Sequence, residues 1–492
     1  MNLNGVSFID TVVSTLNRLS GILHEIEGSK GEDGSGATAD ATYRPNTEAL
    51  EKNDIYYAIG QQSGAIKRKH RPNLVRTIDD LAKSPRVSLG DRCYLGCQVI
   101  PNRRRRENTI KYRDKAFCGT FEKNGNLFIT TAQDCVVRIY DTTGDRPIGR
   151  KSIHATDVGW SILDTSVSPD GCFFVYSSWC ANLYLCRVEG QSEDSTSLKL
   201  IPLDNRFCVF SLKFSANGEE ILCGASDTSL YVYSLTAQKR TLRIPAHDDE
   251  VNAVCFADRS SHILFTGGDD GLVKVWDRRV LNEADARPVG VFAGHRNGVT
   301  FVDSKGDGRY LVSNSKDQSI KLWDVRHFAR SEGIEATQRA VAGQRWDYRW
   351  QPVPISQRVA HIAPLPGDVS IMTYRGHTVL QTLIRCRFSP TFTTGQRYIY
   401  TGCASGRVHI YDVLTGEAKQ ILVGHRGCVR DVSWHPYAPI IMSTSFDGTV
   451  KEWVYRSEMD EEYDSFDPYG EVCLGTRRRR PLAVRRVQLG SN

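Results

Sequence analysis

The side chains of this 492-residue sequence that could move a proton or hold a metal are His247, His295, His377 and His425, with Asp270, Asp317 and Asp447 among them. Imidazole beside carboxylate is the usual material of general-base catalysis and of zinc sites. Their spacing assigns them another task. Asp270 stands six positions before Trp276, and Thr266 ten before it. Ser313 and Asp317 stand in the same relation to Trp323, and Ser443 and Asp447 to Trp453, with His247, His295 and His425 upstream of the three sets. An active site is built once. A hydroxyl, an imidazole, a carboxylate and an indole recurring at fixed offsets are a structural clip, because buried polar groups must satisfy one another. No metal, cofactor or catalytic role is expected for these residues.

Other chemistries find no support. There is no G-x-x-x-x-G-K-S/T phosphate loop, no G-x-G-x-x-G after a strand, no H-E-x-x-H and no G-x-S-x-G elbow. Cys93 and Cys97 are a pair without the second Cys/His pair that a zinc site needs. A non-catalytic protein is expected.

The elements that carry the clips repeat. Residues 262–279 (HILFTGGDDGLVKVWDRR) and 310–326 (YLVSNSKDQSIKLWDVR) each hold a β-branched run, a polar turn, a second run and Trp-Asp-x-Arg. Aligned on the last aromatic position, the units fall at Tyr140, Cys186, Tyr233, Trp276, Trp323, Tyr411 and Trp453, in steps of 46, 47, 43, 47, 88 and 42. A unit of that length ending in Trp-Asp resembles the blade of a WD40 propeller. The fold class expected is all-β, a seven-bladed WD40 propeller spanning 93–455 with an N-terminal helical and disordered extension. Clips are complete in blades four, five and seven. Blade six keeps His377 and Thr401 but has Ser405 and Tyr411 in place of Asp and Trp, blades one and three keep Asp134 and Asp227 in part-sets, and blade two lacks both marks. The long step is read as an insertion, 327–370, between blades five and six, since Pro352, Pro354, Pro364 and Pro366 argue against strands. Its Trp346-Asp347-Tyr348-Arg349 is discounted because no turn-flanked run precedes it. A strand near 93–100 is expected to close the ring against 429–454.

Flanking segments differ in character. Residues 1–28 have an apolar stripe at 3–4 spacing (Phe8, Val12, Leu16, Leu19, Leu23) and read as an amphipathic helix, packed on the propeller or docked on a partner. Residues 29–92 read as a linker with a short helix near 73–83, and 456–492 as a charged, disordered tail. Fourteen scattered cysteines suit a reducing compartment, and no apolar run is long enough to span a membrane. The runs Arg103–Arg106 and Arg477–Arg480 lack the interleaved aromatics of a base-stacking surface, so nuclear import or a solvated tail is expected before nucleic-acid binding. The compartments expected are nucleus and cytoplasm.

One feature of the repeats has no use in the clips. The Arg two places beyond each Trp-Asp, Arg279 and Arg326, falls where a strand runs out onto the rim, and there a guanidinium offers a planar donor fork to a partner. Two such endings in consecutive blades resemble the box of WD-repeat substrate receptors of cullin-4 RING ubiquitin ligases. The stretches KAFCGTF, DVGWSILD, YSSWCANLYLC, RWDYRW and CVRDVSWHP are similar to the eleventh-factor branch of that family, animal and plant. The resemblance implies that Asp277, Arg279, Asp324 and Arg326 bind the ligase's triple-propeller, damaged-DNA-binding-type adaptor. It also implies that the cullin-4 complex is a partner and that unknown protein substrates are presented for ubiquitination. The competing expectation is a WD-repeat scaffold of a nuclear or RNA-related assembly.

Overall fold

The computed structural model describes residues 45–66, 89–190, 195–200, 207–358 and 362–456. The helices expected at 6–27 and 73–83 and the tail beyond 456 lie outside the described residues.

The strands form seven four-stranded antiparallel sheets arranged as a propeller. Blade four is Val251–Phe256, Ile263–Gly268, Val273–Asp277 and Gly290–Phe292; blade five begins Val299–Ser304, Tyr310–Ser315 and Ser319–Asp324. Each sheet packs both faces against its neighbours, so inner strands are buried on both sides: every residue of Tyr310–Ser315 and Ser319–Asp324 is buried. Outer strands meet water and alternate instead, as Lys239–Pro245 does. The turn between second and third strands requires left-handed backbone just after the clip carboxylate. Gly271 and Gly448 adopt it at φ of 76° and 74°, and Gln318 takes it at 67°.

Because first and third strands run in the same direction, they end on one face of the ring. That exit face carries the Asp-x-Arg endings and the loops from first to second strand. The opposite, clip face carries the histidine loops and the carboxylate turns.

Three expectations are corrected. The strand that closes the ring is Arg103–Lys111, with Arg103 opposite Val454 and Lys111 opposite Thr449, and residues 93–100 are not a strand. Leu89–Gly96 is a helix, its buried Cys93 and the following Cys97 hydrogen-bonding the carbonyls of Thr391 and Thr394 in blade six. A four-arginine run is tolerable as an outermost strand because that strand faces solvent; Arg105 pairs with Glu452 at 3.3 Å. Arg103–Arg106 is therefore part of the ring and not a tail.

The second correction concerns the insertion. Met372–Arg375 pairs with Ser319–Asp324 as the fourth strand of blade five, so 327–370 joins two strands of one blade rather than two blades. It contains the helix Ser331–Ala342, laid on the clip face: Gly294 N–H donates to Thr337 Oγ1 at 2.9 Å, and Val341 lies where a Cβ on Gly271 would clash.

Third, part of the presumed linker 29–92 is ordered helix. We label Glu48–Glu51 α1 and Asp54–Gln62 α2. Leu50, Ile55 and Ile59 are fully buried in one apolar cluster with Tyr310, Leu322 and Met372 of blade five and Tyr411 of blade six. Burying three such side chains is worth on the order of 5 kcal/mol before ordering costs, which is what seats so short a segment.

The channel is bridged by ions that spacing did not flag. Arg385, preceding the first strand of blade six, contacts Asp164 of blade two at 2.7 Å and Asp431 of blade seven at 3.0 Å, all three buried. Burial alone would raise Asp431, but Arg387 and Arg385 hold it down at about 2.

Candidate partner-docking face

Whatever the exit face presents depends on the clips behind it. In blade four the Trp276 indole N–H donates to Thr266 Oγ1 at 2.9 Å, and the hydroxyl lies 2.7 Å from His247 Nε2. His247 Nδ1 is 2.9 Å from Asp270. Blade five repeats this with Trp323, Ser313, His295 and Asp317, and blade seven with Trp453, Ser443, His425 and Asp447. Burial would raise the carboxyl of Asp317, yet the adjacent His295 holds it far below the usual carboxylate range. Each imidazole is thus spent between a hydroxyl and a carboxylate. Among the described residues no cluster of three or more His, Cys, Asp or Glu could hold a metal ion.

Blade six differs. Thr401 donates to backbone carbonyls and does not reach His377. His377 instead meets the Tyr411 hydroxyl through Nδ1 at 3.1 Å and Asn314 of blade five through Nε2 at 2.9 Å. Burial, with His409 nearby, pulls His377 down to about 3, so this clip is neutral. In blade one the hydroxyl of Tyr112 meets Thr130 at 2.6 Å and Tyr140 at 3.1 Å; the phenol takes a histidine's place.

At the exit face each Asp of Trp-Asp folds the chain back on itself. Asp277 accepts from the Arg279 backbone N–H at 3.0 Å and from its guanidinium at 2.9 and 2.6 Å. Those bonds set the carboxyl of Asp277 at about 2. The Arg279 side chain is 63% exposed, and Asp277 is its ion-pair partner.

Asp324 is fully buried and accepts from more groups. Arg326 donates to it through N–H at 3.0 Å and the guanidinium at 3.1 Å, Arg309 at 3.0 Å, and Asn53 Nδ2 at 3.1 Å. Asn53 also caps α2, receiving the Ile55 N–H, and accepts the Tyr310 hydroxyl at 2.7 Å. Asp54 completes the arrangement, 2.9 Å from Arg309 and 3.2 Å from Arg326. Arg326 remains 51% exposed. Sequence reasoning missed Asn53, Asp54 and Arg309: nothing local marks an asparagine 271 positions away as a ligand of Asp324.

The discounted Trp346-Asp347-Tyr348-Arg349 forms the same local bond, Arg349 N–H to Asp347 at 2.9 Å. It sits in the insertion and not at the end of a blade strand.

A ring of seven such sheets, three of them with the full clip, defines a WD-repeat propeller. The WD domain, G-beta repeat family matches at residues 238–277, 286–324 and 416–453, which contain the third strands of those three blades. The chain is 42% identical over 381 residues to the DDB1- and CUL4-associated factor 11 homolog of Caenorhabditis elegans, covering 75% of this chain and 65% of that one. It is 42% identical over 400 residues to the homolog of the same name in Caenorhabditis briggsae, covering 78% and 70%. It is 44% identical over 354 residues to the LEC14B protein of Lithospermum erythrorhizon, covering 70% and 73%. The chain belongs to this family of DDB1- and CUL4-associated factor 11 homologs and LEC14B proteins.

Proposed function

We propose that the chain is the substrate-recognition subunit of a cullin-4 RING ubiquitin ligase, seated on the DDB1 adaptor by its exit face. The observation that carries this reading is the pair of Asp-x-Arg endings on consecutive blades of that face, in a family that includes proteins named as DDB1- and CUL4-associated factors. Arg279 and Arg326 would donate to carboxylates or carbonyls of the adaptor, with Asp277 and Asp324 holding each guanidinium in position. The clip face, with the exposed Trp179 and Trp350, is left for target proteins. Catalysis belongs to other subunits; this chain raises the concentration of target lysines near the loaded enzyme. Work in nucleus and cytoplasm, without membrane or nucleic-acid contact, fits the reading; among the described residues no helix is long and apolar enough to cross a membrane.

The test is co-purification of the adaptor with the R279A/R326A double variant. Truncating one side of a desolvated charged pair costs about 2–5 kcal/mol per site, so capture should be lost while thermal unfolding is nearly unchanged. A folded double variant that still captures the adaptor fully would leave the WD-repeat scaffold without a ligase role as the better account.

A further inference from the structure

On the exit face, between blades one, two and three, lies a cavity of about 690 Å³ whose lining contains no carboxylate. Three cations converge on it: Lys123 from blade one, Lys213 from blade three and Arg259 from blade four. Lys213 is half-buried beside the ring of Phe301, and Lys123 and Arg259 are exposed. Of the nearby carboxylates, Glu122 is buried beneath the wall with its Oε1 unpartnered, and the others are engaged. Asp170 accepts from the Cys172 N–H and the Ser168 hydroxyl, and Asp258 from Ser260. The half-buried Asp303 accepts from Phe388 N–H at 2.9 Å. The wall also holds a hydroxyl without a partner: Thr165 is 4% exposed and its Oγ1 makes no hydrogen bond. Phe121 and Phe214 supply apolar surface beside the cations. A site with this composition takes an extended peptide that carries carboxylates with aromatic residues between them.

The chain itself supplies one. Glu458, Asp460, Glu461, Glu462, Asp464 and Asp467 follow directly on blade seven, interleaved with Tyr463 and Phe466. The last described residue, Arg456, leaves the third strand of blade seven on the exit face, where its N–H bonds Asn102 at 3.0 Å. Strands lie about 4.8 Å apart, so the segment starts roughly 10 Å outboard of the channel rim. Eight extended residues span about 26 Å at most, enough to cross toward blades one to three.

We propose that this cavity binds a carboxylate-rich peptide, and that its occupant in the free chain is the acidic stretch Glu458–Asp467. The inference does not depend on the adaptor reading. A tethered segment acts at millimolar effective concentration, and charge pairing at a partly open site weakens as salt shortens the Debye length.

The experiment uses a fluorescent synthetic peptide of residues 456–468, titrated with the full chain and with a full chain carrying D460N, E461Q, E462Q and D464N. The neutralised chain should bind the peptide at least tenfold more tightly than the unmodified chain, since its own tail no longer competes. Rising salt should weaken that binding, and K123E/R259E, both at exposed positions, should weaken it at least tenfold in the neutralised background. Equal affinity of the two chains would show that the tail is not the occupant. Equal affinity with and without K123E/R259E, or no binding at all, would overturn the site, including the case in which the acidic stretch pairs with Arg477–Arg480.

Discussion

The endings of blades four and five carry the same four-residue pattern and are built differently. Asp277 serves one arginine at an open edge, whereas Asp324 is the buried centre of a set that includes Arg309, Arg326 and Asn53. The difference is set by Arg309, where blade four has His262, and by Asn53 and α2, which are seated on blade five. One pattern thus yields a free-standing donor at Arg279 and, at Arg326, a donor fixed by a distant part of the chain. The geometry of Arg279 needs only the local turn, while that of Arg326 also rests on the seating of residues 45–66.

Stability measurements should separate the two most sharply at the carboxylates. Asp324→Ala strands two guanidinium groups and an amide around a buried gap, and breaking a buried charge set of this kind costs about 3–5 kcal/mol. Asp277→Ala removes the partner of an exposed arginine and should cost within about 1 kcal/mol. Denaturant midpoints of the two variants decide it. Similar midpoints would mean that the blade-five set is no more than a surface pair.

The next contrast is the seating of α2. Ile59→Ala removes a fully buried side chain and should cost about 2–4 kcal/mol, expressed first as local release of 45–66 before the ring unfolds. Proteolysis within that segment should rise, with blade four protected as before. If the ring melts together with the segment, the N-terminal helices are part of the cooperative core.

How much of this was legible follows from the range of the signals. The seven blades were, because the aligned third-strand positions recur in steps of 42 to 47 with one of 88, and in blades four, five and seven hydroxyl, carboxylate and indole stand at fixed short offsets that each report one hairpin. The closing strand was not: Arg103–Lys111 opens on four arginines and its register shifts between Arg105 and Ile110, so no apolar alternation marks it, whereas Cys93, Cys97 and Ile100 look strand-like but serve a helix and the turn after it. The insertion was found by its prolines yet assigned to the wrong connection, because the repeat ends at the third strand in sequence and the blade ends at the fourth in space. Arg279 and Arg326 could be named from their motif. Asn53 and Asp54 could not, because their role depends on a contact that only the folded ring creates.

Acid should distinguish a carboxylate clip from a neutral one. His377 is drawn down to about 3 by burial, below the 6.5 it has when unfolded. The unfolded chain therefore takes up this proton first. The contribution is complete above pH 6.5 and is lost as pH falls from there toward 3. Buried His409, set at about 4, acts in the same direction. Replacing His377 by Asn should lower the slope of stability against pH between 6 and 4.5 by about 1.4 kcal/mol per pH unit. An unchanged slope would mean that His377 is charged in the fold.

The smallest effect bears most directly on the docking face. Arg326 and Asp54 are 3.2 Å apart with side chains 51% and 67% exposed, so a double-mutant cycle in the free chain should give a coupling of only about 0.2–1 kcal/mol. What matters is its sign on binding. If Asp54 orients the guanidinium toward the partner, Asp54→Ala weakens adaptor capture, because a planar fork fixed in advance loses less freedom on binding. If Asp54 competes with the partner's carboxylate, the same change strengthens capture. The geometry favours orientation: Asp324 and Asp54 both approach one terminal nitrogen, NH2, and half of the side chain still faces solvent. Asp54→Ala should therefore reduce capture by a few-fold in the intact chain and have no effect once Arg326 is Ala, while Arg279→Ala should respond to neither. A gain in capture on Asp54→Ala would assign α2 to the masking of blade five and reverse the comparison between the two endings.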